Sequence, residues 1–111
     1  MKNLKSVSTL QVLDVLSDRI SINIFNVIAE KVTTSDNITQ LLGISQKQYY
    51  TRFTKLSETG LIQRKHSLLT LTSFGQLIYQ ALLTIATACR HCSELMMIDA
   101  VKSTAGTQAM N

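Results

Sequence analysis

Two glycines, each preceded by a capping residue and a short helical pattern, constrain this 111-residue chain more than any other feature. Residues 34–36 form a cluster of helix N-cap residues, and the segment that follows them ends at Gly43. Ser45 is a second N-cap, and the helix that it begins, residues 45–59, ends before Gly60. Glycine ends helices in this way because it tolerates the left-handed conformation at a helix C-terminus. The pattern predicts two short helices joined by a tight turn, which is the helix-turn-helix unit.

Apolar residues recur at helical spacing on both sides of this unit and within it. Before residue 17 the spacing predicts a first helix, with the apolar stripe Leu4, Val7, Leu10, Leu13 and Leu16. A second helix, ending near residue 31, follows from Ile20, Ile24, Val27 and Ile28. Ser17 and Asp18 lie between the two stripes, and they either cap a new helix or interrupt a continuous one. In the unit itself the predicted core-facing residues are Ile38, Leu41 and Leu42, then Tyr49, Phe53 and Leu56.

The segment after Gly60 has the composition of a small β-hairpin. Residues 61–62 and 68–71 are short apolar runs, and the polar residues 63–67 between them are predicted to form a short basic tip. Thr72 and Ser73 are suited to cap a long last helix. The chain is therefore predicted to be mainly α-helical, with a two-stranded β-hairpin and a long C-terminal helix.

The last helix carries a heptad seam, which predicts that it pairs with another helix. Its members are four, three, four, three and four residues apart: Ile78, Leu82, Ile85, Cys89, Cys92 and Met96. We expect this seam to join two copies of the chain in a homodimer, with or without the N-terminal helix. The alternative is packing against the chain's own N-terminal helix. Residues 1–102 are predicted to form one domain, and the small polar residues 103–111 a flexible tail.

The positive charge of the chain is confined to one stretch. The formal net charge is +4, and residues 45–67 carry all of it because the charges elsewhere cancel. A local basic patch is the footprint expected for a partner with a phosphate backbone, although an ordinary solvated helix face gives the same pattern. We see no signal peptide and no apolar run of the roughly 20 residues that a membrane span needs, so we expect a cytoplasmic protein.

Four segments resemble, in order and spacing, the winged helix-turn-helix regulators of the ArsR and MarR type. They are LSDRI at 16–20, ITQLLGIS at 38–45, LSETGLI at 56–62 and LTLTSFG at 69–75. The resemblance covers about residues 14–80 and implies a transcription regulator that binds double-stranded DNA. ArsR-type metal sensors often carry a Cys-containing motif in the recognition helix. Residues 45–59 contain no Cys or His, so we expect no metal and no other cofactor.

The resemblance makes residues 45–59 the recognition helix, whose N-terminal part enters the major groove. Gln46 and Gln48 suit adenine edges, and Arg52 suits a guanine edge. Tyr50 and Thr51 suit a phosphate or a thymine methyl group. Lys47 and Lys55 on the helix suit phosphates. The wing, residues 63–68, is expected to reach the flanking backbone or the minor groove through Arg64, Lys65 and His66.

Cys89 and Cys92 leave three interpretations open. Buried in the seam, free cysteines behave as small hydrophobic residues. Two copies of the chain could instead place four thiolates around a zinc ion, or form an intersubunit disulfide that responds to oxidation. His91 lies between them in sequence but faces a different side of the helix.

Two other functions compete with DNA binding. The first is a winged helix that contacts proteins only, and the charge of residues 45–67 argues against it because such a module needs no basic recognition helix. The second is an enzyme. The sequence has no Gly-rich phosphate loop and no set of nucleophile, base and orienting residue, so we expect no catalytic activity. A small-molecule effector is compatible with the sequence, but no feature names one.

Overall fold

The structure, a computed structural model, describes residues 6–110, with side chains as far as residue 103. Helices and strands follow one another in the predicted order, and the fold class is confirmed as mainly helical with one two-stranded hairpin. The elements are α1 (Thr9–Leu16), α2 (Arg19–Glu30), α3 (Ser35–Leu42), α4 (Gln46–Glu58), β1 (Ile62–Lys65), β2 (Leu68–Leu71), α5 (Ser73–Arg90) and α6 (Cys92–Met110).

Each of the first four helices begins at a side chain that caps it. Ser8, Asp18, Thr34 and Ser45 accept hydrogen bonds from the backbone N–H groups three residues further on. Each such bond satisfies one of the donors left free in the first turn of a helix. Asp18 therefore begins a new helix, which decides between the two alternatives for residues 17 and 18.

The two glycines end their helices as predicted. Gly43 has φ +64° and Gly60 has φ +83°, both in the left-handed region that only glycine adopts without strain. The helix-turn-helix is formed by α3, this turn and α4. Its second helix has Ser45 and Thr59 as its caps, so the predicted bounds 45–59 include one capping residue at each end.

The hairpin is shorter at its tip than the sequence predicts. Residue 62 pairs with residue 71, and residue 65 pairs with residue 68, in antiparallel register. The predicted basic tip, residues 63–67, is therefore too long. Residues 63–65 lie in β1, and only His66 and Ser67 form the turn. Two residues suffice for the turn because His66 adopts a positive φ of 61°, as tight hairpin turns require.

The buried core lies around α2, which contacts α1, α3, α4 and β2. Its apolar members are Val12, Leu16, Ile24, Phe25, Ile28, Ile38, Tyr49, Leu56, Leu61, Ile62, Leu69 and Leu71. A further backbone bridge joins Thr33 to Leu69 and ties the end of α2 to the hairpin. The core thus holds α4 and the hairpin in one framework.

Two of the predicted apolar stripes are partly wrong. In α1 the buried residues are Val12 and Leu16, whereas Leu10 is 76% exposed and Leu13 is 52% exposed. An α-helix completes one turn in 3.6 residues. Residues repeated only at steps of three therefore move gradually around its surface, whereas Val12 and Leu16, four residues apart, lie on one face. Leu41 is 65% exposed for the same reason, since it lies three residues after buried Ile38. Leu4 lies outside the described residues.

The predicted long last helix is two helices, which corrects the continuous heptad seam. A turn at His91 separates α5 from α6, and the His91 N–H is shared between the carbonyls of Thr87 and Ala88, as is common where helices end. The backbone of the predicted tail is helical as far as Met110, since it contains no proline to stop α6. The flexibility of that tail stays a prediction.

The chain divides into two compact units, Met1–Tyr79 and Gln80–Asn111, where the sequence predicts one domain over residues 1–102. All buried side chains among the described residues belong to the first unit. In the second unit every described side chain from residue 83 to 103 is exposed, so these residues form no core of their own. No helix in the described part of the chain combines the length and the apolar character of a membrane span.

Candidate nucleic-acid interface

Helix α4 buries one face and exposes the other. Tyr49 and Leu56 are fully buried and Phe53 is half-buried, as predicted. Four exposed residues on the opposite side are neighbours at helical spacings of three and four, and we call them the outer patch of α4: Lys47, Tyr50, Thr51 and Thr54. The buried face fixes the orientation of the helix, so the outer patch is held toward solvent.

The two threonines of the outer patch turn their hydroxyl groups back onto the helix. Thr51 Oγ1 donates to the Lys47 carbonyl over 2.9 Å, and Thr54 Oγ1 donates to the Tyr50 carbonyl over 2.8 Å. Thr54 was not among the predicted contact residues. Its spacing of three from Thr51 and of four from Tyr50 places it on the same face, and that spacing could have identified it.

Gln48 is predicted to read a base, but its carbonyl oxygen has another partner. Gln48 Oε1 accepts from the backbone N–H of Ser45 over 3.0 Å, while Ser45 Oγ accepts from the N–H of Gln48 over 3.1 Å. This reciprocal pair is a capping box, which fixes the N-terminus of α4. The side chain is exposed, yet a bidentate pair with adenine would have to compete with this bond.

Arg52 lies against α2 instead of pointing away from the core. Its Nε is 3.1 Å from Asp18 Oδ2, and its Nη2 is 3.5 Å from Asp18 Oδ1. The hydrogen bond from Arg52, followed by the one from the Ser21 N–H, lowers the pKa of Asp18. One carboxylate therefore caps α2 and anchors α4 at the same time.

Arg64 of β1 connects the hairpin to both helices of the helix-turn-helix. Its Nη2 donates to Ser35 Oγ over 3.1 Å, and its guanidinium lies 5.2 Å from the centre of the Phe53 ring. Ser35 Oγ also shares a 2.6 Å hydrogen bond with the Tyr49 hydroxyl. Burial raises the pKa of Tyr49, while the bond to Ser35 opposes that shift. The structure thus places Arg64 beside α3 and α4, not at the tip of the wing.

The other basic side chains that the sequence predicts to contact DNA make no ion pair with any described residue. Lys47 and Lys55 are exposed on α4, and Lys65 and His66 are exposed at the end of the hairpin. Lys65 pairs with Leu68 across the hairpin, one residue after Arg64, so the two basic side chains point to opposite faces of the sheet. Gln46 is also exposed, at the start of α4.

The predicted dimer seam is largely exposed in the single chain. Ile78 and Leu82 are half-buried, and Ile85, Cys89, Cys92 and Met96 are exposed. Both thiols are free, and Cys92 Sγ lies 3.8 Å from Met96 Sδ. His91 Nδ1 contacts Glu94 Oε1 at 2.9 Å. The described residues contain no group of three or more His, Cys, Asp or Glu side chains that could hold a metal ion.

Solved structures share this architecture at low sequence identity. The reduced form of the transcriptional regulator YodB from B. subtilis has a TM-score of 0.69 at 18% identity, covering 79% of this chain and 94% of that chain. Quinone-bound YodB has a TM-score of 0.67 at 20% identity, with 74% and 94% covered. A MarR-family protein of Porphyromonas gingivalis W83 has a TM-score of 0.62 at 16% identity, with 80% and 97% covered.

Sequence comparison adds no closer relative, since no protein-family model and no curated protein matches the chain. The likeness to the solved structures therefore concerns the fold. Its elements are the capped pair α3 and α4, the hairpin β1–β2 and the core around α2. The chain has the winged helix-turn-helix fold.

Proposed function

We propose that this chain is a sequence-specific transcription regulator that binds double-stranded DNA through α4 and the hairpin. One observation carries the proposal: residues 45–67, which hold the whole positive excess of the chain, form α4 and the first strand of the wing, and four of their five Lys and Arg side chains are exposed there. A helix with this exposed side fits the major groove, which is wide enough to admit an α-helix.

The proposed contacts divide between bases and phosphates. Gln46 at the start of α4 reads a base edge, and Gln48, which faces another side of the helix, contributes only when its capping bond opens. Lys47 and Lys55 are compact charges suited to phosphates, and Lys65 and His66 reach the flanking backbone from the hairpin. Arg52 and Arg64 are placed to support α4 through Asp18, Ser35 and Phe53, and we propose this supporting role ahead of direct contact.

Solved neighbours support a regulatory role. YodB, which shares the fold, is a transcriptional regulator, and one of its structures holds a bound quinone. A DNA-binding regulator needs no catalytic residues, and we propose none for this chain. We place the protein in the cytoplasm of a prokaryote, where such a regulator meets its operator.

The second unit supports a homodimer. Its described side chains include Ile85, Leu95, Met96, Ile98 and Val101, between 47% and 68% exposed in the single chain. Burying one such side chain fully gains about 1.5–3 kcal/mol, so a second copy that covers several of them gains enough to associate. Two linked winged helices would then address two half-sites about one helical turn apart. The exposed Cys89 and Cys92 would become buried hydrophobic residues only in such a dimer.

DNA binding is tested by fluorescence anisotropy with a labelled mixed-sequence duplex. We expect the wild-type chain to bind at low salt and the double variant Lys47→Gln/Lys55→Gln to bind more than tenfold more weakly. The matched control is Arg90→Gln/Lys102→Gln, which removes the same charge from the second unit and should bind within about twofold of wild type. Equal weakening by both variants, or no binding by wild type, would contradict the proposal, and the latter would favour a protein-binding module.

The homodimer is tested by sedimentation equilibrium. We expect a dimer at micromolar concentration and a monomer for Ile85→Glu, because a charge at the seam cannot be buried without a partner. A monomeric wild-type chain at that concentration would rule out the homodimer.

A further inference from the structure

The two threonines in the outer patch of α4 offer methyl groups, not hydroxyl donors, to a base. We infer that this helix recognises thymine through the methyl groups of Thr51 and Thr54. The inference rests on the proposed function, because it names the bases that the same helix reads. It follows from three properties of the exposed side of α4: the bonds of its threonine hydroxyl groups, the partners of its hydrogen-bonding side chains and the exposure of its two threonines.

The hydroxyl groups are already occupied. A hydroxyl has one proton to donate, and Thr51 and Thr54 donate theirs to the carbonyls of Lys47 and Tyr50. Such bonds back to the preceding turn are a stable arrangement for threonine in a helix. Neither side chain can then donate to a base without breaking an internal bond, so the methyl group and the accepting lone pairs of the oxygen remain for contact.

Beyond Gln46 at the start of α4, the two side chains that could read guanine or adenine by paired hydrogen bonds are also engaged. A guanine edge is read by an arginine fork, and the only arginine of α4 directs its Nε and Nη2 to Asp18. An adenine edge requires both ends of an amide, and the oxygen of Gln48 is held by Ser45. The middle of the helix therefore lacks a free fork for either purine.

Both threonines lie on the exposed side of α4, which is the side proposed to enter the major groove. Thr51 and Thr54 are exposed, one helical turn apart, with the half-exposed Tyr50 ring beside them. Thymine is the one base that presents a methyl group in that groove, and a threonine methyl is a suitable apolar partner for it. Removing one buried methyl group from such a contact weakens binding about fourfold.

The test compares thymine with uracil, which lacks only that methyl group. A duplex enriched from a random-sequence library by the wild-type chain is synthesised with thymidine or with deoxyuridine throughout. Its affinity is then measured for wild type and for Thr51→Ser/Thr54→Ser, which keeps both hydroxyl bonds and loses both methyl groups. The matched control is Thr84→Ser/Thr87→Ser, whose hydroxyls make the same kind of bond on α5.

We expect wild type and the control to bind the uracil duplex about fourfold more weakly for each contacted thymine, and Thr51→Ser/Thr54→Ser to bind both duplexes equally. Equal binding of the two duplexes by wild type would overturn the inference and leave DNA binding standing. So would full discrimination by Thr51→Ser/Thr54→Ser, or an enriched duplex without thymine. A wild-type chain that binds no duplex at low salt would instead overturn the proposed function, and the inference with it.

Discussion

The two units of the chain differ in what their apolar residues do. In the first unit, Ile24, Phe25, Ile38 and Leu56 are fully buried and lie in a shared core. In the second, apolar residues are more frequent in the sequence, yet Met97 is 69% exposed and Val101 is 68% exposed. The first unit has a core without help, whereas the second presents the apolar surface that a partner would cover. An apolar pattern therefore predicts burial but not whether the chain itself or a partner covers the residues.

The largest loss of stability is expected at the start of α5, which lies in the first unit. A methyl group added at Gly75 would overlap the carbonyl oxygen of Leu61, which is backbone and cannot move aside. We expect Gly75→Ala to cost about 4 kcal/mol or more, measured by urea denaturation, because the close contact allows no local relaxation. Gly43→Ala is the control: its Cβ meets open space, so only the positive φ is penalised, by about 1 kcal/mol. Similar losses of stability for the two variants would mean that the backbone around Gly75 can move to accept a methyl group.

The second prediction is that variants in the two units differ in how their stability depends on protein concentration. Leu56→Ala removes a fully buried side chain and should lower the free energy of unfolding by about 3 kcal/mol at every protein concentration. Ile85→Ala, in the second unit, should cost about 1–2 kcal/mol, and only at concentrations where the dimer forms. Thermal melts across a concentration series distinguish the two. A cost for Ile85→Ala that does not vary with concentration would show that this residue packs within its own chain.

The smallest effect concerns the ion pair that anchors α4. Asp18→Asn keeps a capping oxygen but loses the charge that Arg52 faces. The pair is partly exposed, at 29% for Arg52 and 39% for Asp18, so solvent reduces its value and we expect a cost of about 0.5 kcal/mol near neutral pH. The pKa of Asp18 is lowered on folding, so its contribution is present above the unfolded carboxyl value near 3.9 and is lost as the pH falls through the folded value. Urea denaturation should therefore give the difference between the two chains at neutral pH and none in strong acid. A difference that persists in acid would assign the effect to capping.

The sequence predicts the backbone of the first unit well because its signals are local. Caps such as Thr34 and Ser45 and the stops at Gly43 and Gly60 act within a few residues of themselves, so they can be recognised without the tertiary fold. The stripe of α1 was mispredicted because steps of three look helical but do not stay on one face. The break between α5 and α6 at His91 contains no glycine or proline, so it could not be predicted from the sequence.

The candidate site is harder to predict, because side-chain partners come from distant parts of the chain. Arg52 meets Asp18 across 34 positions, and Arg64 meets Ser35 across 29. Neither pairing is visible from spacing, so both arginines appeared free to contact DNA. What the sequence does predict is the exposed side of α4, since helical periodicity alone separates it from Tyr49 and Leu56.

The central claim, that α4 and the hairpin bind DNA, is tested most directly by lysine footprinting. The wild-type chain is acetylated with and without a short mixed-sequence duplex at low salt, and the modification of each lysine is measured by peptide mass spectrometry. We predict that the duplex protects Lys47, Lys55 and Lys65, which are exposed on α4 and the hairpin, and leaves Lys102 of α6 as reactive as before. Unchanged reactivity of Lys47 and Lys55, or equal protection of Lys102, would contradict the account.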